Sequence, residues 1–305
     1  MFPAAAAGVV AVVGPTATGK TALSLELAEH LGGEVINADS MQLYRGMDIG
    51  TAKLRPLEWR GIPHHALDLW DVTEPASVAA YQAVARQAID AILSRGRVPL
   101  LVGGSGLYVR AVLEQFDFPG TDAALRAGLE ADLAMYGPDE MHARLAVRDP
   151  AAASQILPSN GRRIVRALEV VELTGRPFVA TLPAPTPYYA AVHIGVDRDP
   201  AELDERIARR VDQMWADGLV NEVRALERIG LRQGRTASRA LGYQQVLRFL
   251  AGDCTEDQAH QETVVATRRF VRRQRSWFRR DPTVVWLDGG SPTLVEDALA
   301  RCGVE

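Results

Sequence analysis

Gly14-Pro15-Thr16-Ala17-Thr18-Gly19-Lys20-Thr21 carries the spacing G-x-x-x-x-G-K-[ST]. Residue types in this order can hold phosphate. The glycines let successive backbone N–H groups turn toward anionic oxygens, the lysine adds a mobile positive charge, and the Thr21 hydroxyl can ligate a divalent metal. Of 34 basic residues only Lys20 and Lys53 are lysines, so the position that keeps one stands out. The plainer alternative is a glycine turn that packs a helix on a strand. A second polar cluster is Asp39-Ser40, where a carboxylate could take a proton or hold a metal's water shell; it could equally cap a short helix. The third is Gly103-Gly104-Ser105-Gly106, a strand-to-helix turn with one hydroxyl. Lys53 is expected to touch phosphate or backbone. His64 and His65 are adjacent, so their side chains diverge, which suits structure or channel lining better than joint metal ligation.

The flanking patterns say which elements hold these groups. Gly8 to Val13 is a short valine-rich run of the kind that forms a buried parallel strand. Thr21 to Leu31 has helical spacing and stops at Gly32-Gly33. Glu34 to Ala38 and Val98 to Val102 read as further strands, with a helix over Ser77 to Ser94 between them. Strand and helix alternate, which implies an α/β fold of the P-loop NTPase-like kind, a parallel sheet flanked by helices with its working loops at the carboxyl edge. The pattern changes near Phe116, and residues 117–190 read as a helical insertion domain ending in the proline-rich Leu182 to Pro187. The core then comprises 1–116 and 191–305, with a returning strand at Ala191 to Val196, helices near 200–216, 219–229, 237–251 and 256–279, and an edge strand at Val284 to Leu287.

Composition bounds the possibilities. Apolar residues make up 47% and charged residues 24%, which excludes a disordered chain, a collagen and a disulfide scaffold. The apolar run from Ala4 to Val13 is too short to span a bilayer, and a signal peptide is not expected. Cys254 and Cys302 have no metal-site spacing and fit a reducing cytoplasm. Net charge is −4, so a globally basic nucleic-acid binder is not indicated. Locally the picture differs. Arg268, Arg269, Arg272, Arg273, Arg275, Arg279 and Arg280 occur in thirteen residues without an acid. Phe270, Trp277 and Phe278 are interleaved. On one helix this means like-charge repulsion unless an anion screens it, as a phosphodiester backbone with stacked bases would. Arg162, Arg163 and Arg166 form a second basic group. A small polyphosphate together with nucleic acid accounts for all of these; a small-molecule kinase using ATP accounts only for the loop and the carboxylate, and a non-catalytic RNA-binding module only for the arginines.

In sequence order, GPTATGKT, INADSMQLYRGMDIGTAK, PHHALD, LVGGSGLY, RRIVRALEV, SRALGYQQ and TRRFVRRQRSWFRR resemble the tRNA dimethylallyltransferases, over nearly the whole chain. That resemblance implies transfer of a dimethylallyl group from dimethylallyl diphosphate to N6 of adenine at tRNA nucleotide 37, with Mg²⁺, by a cytoplasmic monomer that uses a nucleotide-type loop for a prenyl donor. It implies catalytic roles for Asp39 and Ser105, which stands where the family commonly has threonine. It implies diphosphate contacts from Gly14 to Thr21 and from Arg210, with Thr21 at the metal. It implies tRNA contacts from Asp39, Ser40, Met41, Gln42, Ser105 and Arg126; from Arg162, Arg163, Ile164, Val165 and Arg166; from Arg239, Ala240, Leu241, Gly242, Tyr243 and Gln244; and from Arg272, Arg273, Gln274, Arg275, Ser276, Trp277, Phe278 and Arg279.

Overall fold

The computed structural model describes residues 8–116, 118–179 and 186–304. The start of the Ala4 to Val13 run and most of Leu182 to Pro187 lie outside them. The described chain divides into two units, one of residues up to Glu114 together with Pro187 onward, the other Gln115–Thr186.

The first unit is built on a parallel sheet of six strands in the order β3-β2-β4-β1-β5-β6. These are β1 (Val9–Val13), β2 (Gly33–Asn37), β3 (His64–His65), β4 (Val98–Gly103), β5 (Ala191–Asp197) and β6 (Val285–Asp288). The two-residue β3, set beside β2 at the sheet's edge, carries no periodic signal in the sequence. Strand β1 is central, pairing Val12 with Val102 of β4 and with Ile194 of β5. Its residues alternate between two apolar cores: Val9, Ala11 and Val13 face one, Val10 and Val12 the other. A strand covered on both faces reads as the unbroken apolar run seen in the sequence.

In chain order the helices are α1 (Lys20–Leu31), α2 (Val78–Ser94), α3 (Gly106–Leu113), α4 (Ala123–Arg148), α5 (Pro150–Gln155), α6 (Gly161–Thr174), α7 (Pro200–Ala216), α8 (Leu219–Arg228), α9 (Tyr243–Leu250), α10 (Glu256–Phe278) and α11 (Leu294–Arg301). Helices α2 and α3 cover one face of the sheet, α1 and α11 the other. All strands run the same way, so the segments after β1, β2 and β4 emerge at one edge.

The helix expected over 237–251 is broken. A 3-10 turn spans Ala237–Arg239, and α9 starts at Tyr243. Gly242 between them has φ 84, a left-handed value that glycine tolerates, and the Gln245 side chain accepts its N–H at 2.9 Å.

The second unit contains α4 to α6 around a core of Leu129, Met141, Leu145, Ile164, Val165 and Leu168. Gly137, with φ 81, and Pro138 interrupt α4.

Candidate functional site

The phosphate loop joins β1 to α1. Gly14 has φ 134, and a Cβ there would lie 2.3 Å from the Val196 carbonyl oxygen, so no other residue fits. Gly19 has φ 107, and Ala17 takes a left-handed φ of 67, which is costly for a residue with a Cβ. The strain is held by contacts from distant elements. Arg198 Nε donates to the Thr18 carbonyl at 3.0 Å and Arg206 Nε to the Ala17 carbonyl at 2.8 Å. Arg210 Nη1 reaches the Thr16 hydroxyl at 2.9 Å. From α10, Gln274 accepts the Thr16 N–H at 3.0 Å and donates to the Gly104 carbonyl at 2.9 Å. Inside the loop, Thr18 Oγ1 and Lys20 Nζ both donate to the Pro15 carbonyl.

Asp39 follows β2 and sits in an Asx turn, its Oδ1 accepting the Met41 N–H at 2.9 Å. No helix starts there, so the helix-cap alternative does not apply. Asn37 fixes the turn. Its Oδ1 accepts the Asp39 N–H at 2.9 Å, and its Nδ2 donates to the carbonyls of Asp39 at 3.1 Å and Ala66 at 3.0 Å. Sequence reasoning passed over Asn37; an amide among the apolar residues of a buried strand was the available signal.

Lys20, Thr21, Asn37, Asp39, Gln42 and Arg210 line one cavity of about 410 Å³. Burial, and then the neighbouring Arg210, push the Lys20 ammonium down to about 7, against the pull of Asp39. Burial also raises the Asp39 carboxyl above its ordinary range, opposed by the Met41 N–H and by Lys20. A carboxyl with a raised pKa is a stronger base than an exposed one. Gly103 and Gly104 line the cavity, and Ser105 follows them in the turn. Its hydroxyl accepts the Ser40 N–H at 3.1 Å and lies 3.2 Å from the Ser40 hydroxyl, so it holds the residue next to Asp39.

The segment after Asp39 forms a braced wall. Gln42 Nε2 donates to the Thr51 carbonyl at 3.0 Å, and both residues line the cavity. Glu222 of α8, which no sequence motif singles out, accepts the N–H groups of Asp48, Ile49 and Gly50, as well as the Tyr243 hydroxyl. Lys53 makes the expected backbone contact, to the Tyr44 carbonyl at 2.9 Å, and ion pairs with Asp48 at 2.7 Å and Asp68 at 2.6 Å. Those carboxylates occupy it, so it is not a phosphate ligand. The two histidines do diverge. His65 pairs with Glu34 at 2.7 Å, while His64 stacks on Trp59 and lines the cavity, with burial lowering its pKa.

The arginine run is less free than its sequence implies. Asp204 of α7 lies 3.7 Å from both Arg268 and Arg272. Asp197, at the end of β5, bonds Arg275 and Arg279 at 2.9 Å each. The acids missing from the run come from other elements, which corrects the expectation of unrelieved repulsion. Gln274 and Phe278 are buried, Gln274 reaching only the cavity wall, and Trp277 packs partly into the core. Arg269, Arg273 and Arg280 remain exposed with no ion-pair partner among the described residues, and Arg273 lies over the Phe270 ring. In the second unit Arg126 and Arg166 both bind the buried Glu169 at 2.7 Å, and Ile164 and Val165 belong to its core. Arg162 and Arg163 are exposed. Between Arg239 and Gln244, which are exposed, Ala240, Gly242 and Tyr243 are buried and Leu241 is half-buried. Ser40, Met41 and Ser276 keep partly or fully exposed surface.

A parallel sheet whose glycine-rich loop and Asp39 carboxylate line one cavity defines an α/β fold of the P-loop-like kind. The family described as IPP transferase matches residues 42–281, and that described as isopentenyl transferase matches residues 7–76. The chain is 72% identical over 295 residues to a tRNA dimethylallyltransferase of Salinispora arenicola, covering 97% of this chain and 86% of the relative. It is similar to the crystal structure of the tRNA isopentenylpyrophosphate transferase of Bacillus halodurans, with TM-score 0.71, 42% identity and coverage of 97% and 94%. It is also similar to a eukaryotic dimethylallyltransferase solved acting on tRNA, with TM-score 0.82, 25% identity and coverage of 97% and 77%. The chain belongs to the tRNA dimethylallyltransferase (IPP transferase) family and is a prenyl-transferring enzyme.

Proposed function

We propose that this chain transfers the dimethylallyl group of dimethylallyl diphosphate to N6 of the adenine at tRNA nucleotide 37. The observation that carries the reading is the single cavity shared by Lys20 of the phosphate loop and the raised-pKa carboxylate of Asp39. The donor's C1–O bond breaks as a bond from N6 to C1 forms. The diphosphate leaves as an anion, held by the loop N–H groups, Lys20 and Arg210. Asp39 orients the exocyclic amine, whose lone pair is delocalised into the ring, and takes its proton. Ser105 acts through Ser40 and is a positioning residue.

Mg²⁺ fits the residues present. Among the described residues no three His, Cys, Asp or Glu side chains gather as a metal site, but Thr21, a hydroxyl-bearing residue, is exposed and lines the cavity. Mg²⁺ tolerates few protein ligands when phosphate oxygens supply the others. Bound through Thr21 and the diphosphate, it would neutralise charge on the leaving group.

An adenine stacked in an anticodon loop must be flipped out to reach this cavity, where Ser40, Met41 and Gln42 would read it. Arg162, Arg163, Arg239, Gln244, Arg269, Arg273, Ser276 and Arg280 supply exposed contacts for the RNA. The reading places a monomer in the cytoplasm, which suits two unpaired cysteines; among the described residues no helix is long and apolar enough to cross a membrane.

The direct test is incubation with dimethylallyl diphosphate and unmodified tRNA, followed by nucleoside mass analysis. Prenylated adenosine is expected. Release of ADP from ATP with a small acceptor, and no change in tRNA, would point to a kinase instead. The RNA surface has its own test. Replacing Arg269, Arg273 and Arg280 together by glutamine should weaken tRNA binding and flatten its salt dependence. The log–log slope should shrink by about 0.9 for each phosphate no longer neutralised on a duplex, or about 0.7 on a single strand. An unchanged slope returns these arginines to a merely solvated face.

A further inference from the structure

A second concavity, of about 300 Å³, lies against the phosphate loop and is lined by Ala17, Arg206, Arg209 and Arg210. Ala17, Arg206 and Arg210 also line the larger cavity, so the two spaces meet at the loop. The three arginines stand at i, i+3 and i+4 on α7, one helix face. Arg206 is held by the Ala17 carbonyl and Arg210 by the Thr16 hydroxyl. Arg209 is exposed and has no ion-pair or hydrogen-bond partner among the described residues.

Acids offset this charge only in part: Asp39, across the larger cavity, acts on Arg210 and not on Arg209. Glu202, the carboxylate nearest Arg206 at 4.0 Å, is already bonded to Arg198. Glu205, one turn before Arg209, is exposed and makes no pair with it. Asp197 is taken by Arg275 and Arg279. Burial, the adjacent Arg198 charge and, more weakly, Arg209 lower the Arg206 pKa against the pull of Glu202. Guanidiniums crowded in a concave site with incomplete counter-charge are stabilised when a compact, multiply charged anion visits.

We propose that Arg209, with Arg206 and Arg210, forms an outer landing site that captures the diphosphate of the prenyl donor before it enters the phosphate loop. The proposal rests on the transferase reading above. A diphosphate carries several charges in a small volume, which matches three guanidiniums on one turn. An RNA phosphodiester carries one charge and is extended, and a notch of this size would accept little of it. Arg206 and Arg210 belong to both cavities, so the anion can pass from one to the other without losing all its partners.

The test compares Arg209→Gln with Arg301→Gln, an exposed arginine on α11 that removes the same charge far along the chain. Binding of inorganic diphosphate and of tRNA is measured by titration calorimetry, and kcat/KM for dimethylallyl diphosphate is measured across ionic strength. The Arg209 variant should bind inorganic diphosphate more weakly. Its kcat/KM should fall about tenfold at low salt, the lower end of electrostatic steering effects, with a shallower salt dependence. The Arg301 variant and both tRNA affinities should match wild type. Equal diphosphate binding and equal kcat/KM in the two variants would overturn the site. Loss of tRNA affinity with diphosphate binding intact would assign the notch to an RNA phosphate and also overturn it. Should the wild-type protein make no prenylated adenosine, the transferase reading falls, while the inorganic diphosphate titration still decides whether the notch captures that anion.

Discussion

Asp39→Asn is expected to slow single-turnover prenyl transfer by roughly 10²–10⁴-fold, the usual scale for a positioned base. Structure should survive the change. Asparagine keeps an Oδ1 that can accept the Met41 N–H, and Asn37 grips the Asp39 backbone regardless of its side chain. Donor and tRNA binding should therefore persist. The wild-type pH profile supplies a second readout. The Asp39 carboxyl is raised above its ordinary range by burial, and the base form exists only above that raised pKa. The rate should fall as pH drops through it, and this acidic limb should vanish in the variant. A rate within a few-fold of wild type at saturating substrates would remove Asp39 from the chemistry and leave only the Asx turn.

Lys20→Ala should cost on the order of 10²–10³-fold in rate, comparable to removing one preorganised donor from a developing anion. Its ammonium is pushed down to about 7, so the free enzyme carries this charge below neutrality and loses it above. Affinity of the wild type for the donor should weaken as pH rises past 7, because an anionic diphosphate then meets a neutral amine. In the alanine variant that dependence should disappear and affinity should be low throughout, with tRNA affinity unchanged. Equal donor affinity in variant and wild type would show that the loop N–H groups and Arg210 suffice.

Much of this site was readable before the fold. The phosphate loop follows from local chemistry: Gly14 and Gly19 occupy positive φ, which glycine adopts freely, and the apolar run before them reads as a strand buried on both faces. Asp39 and Gly104 reach the same sheet edge because parallel strands all end on one side. The break before α9 was not readable, since a left-handed Gly242 beside good helix formers looks like a helix with one weak residue.

What the tertiary structure alone decided is who partners whom. Asp197 and Asp204 lie between 64 and 82 residues before the arginines they neutralise, and no pattern within α10 announces them. Glu222 meets the N–H groups of Asp48 to Gly50 across more than 170 residues. Gln274 sits among arginines that suggest RNA, yet it is buried and braces the phosphate loop. Backbone conformation depends on neighbours in sequence, so motif and strand show through the letters. Charge pairing and burial depend on neighbours in space, and only the packed chain supplies those.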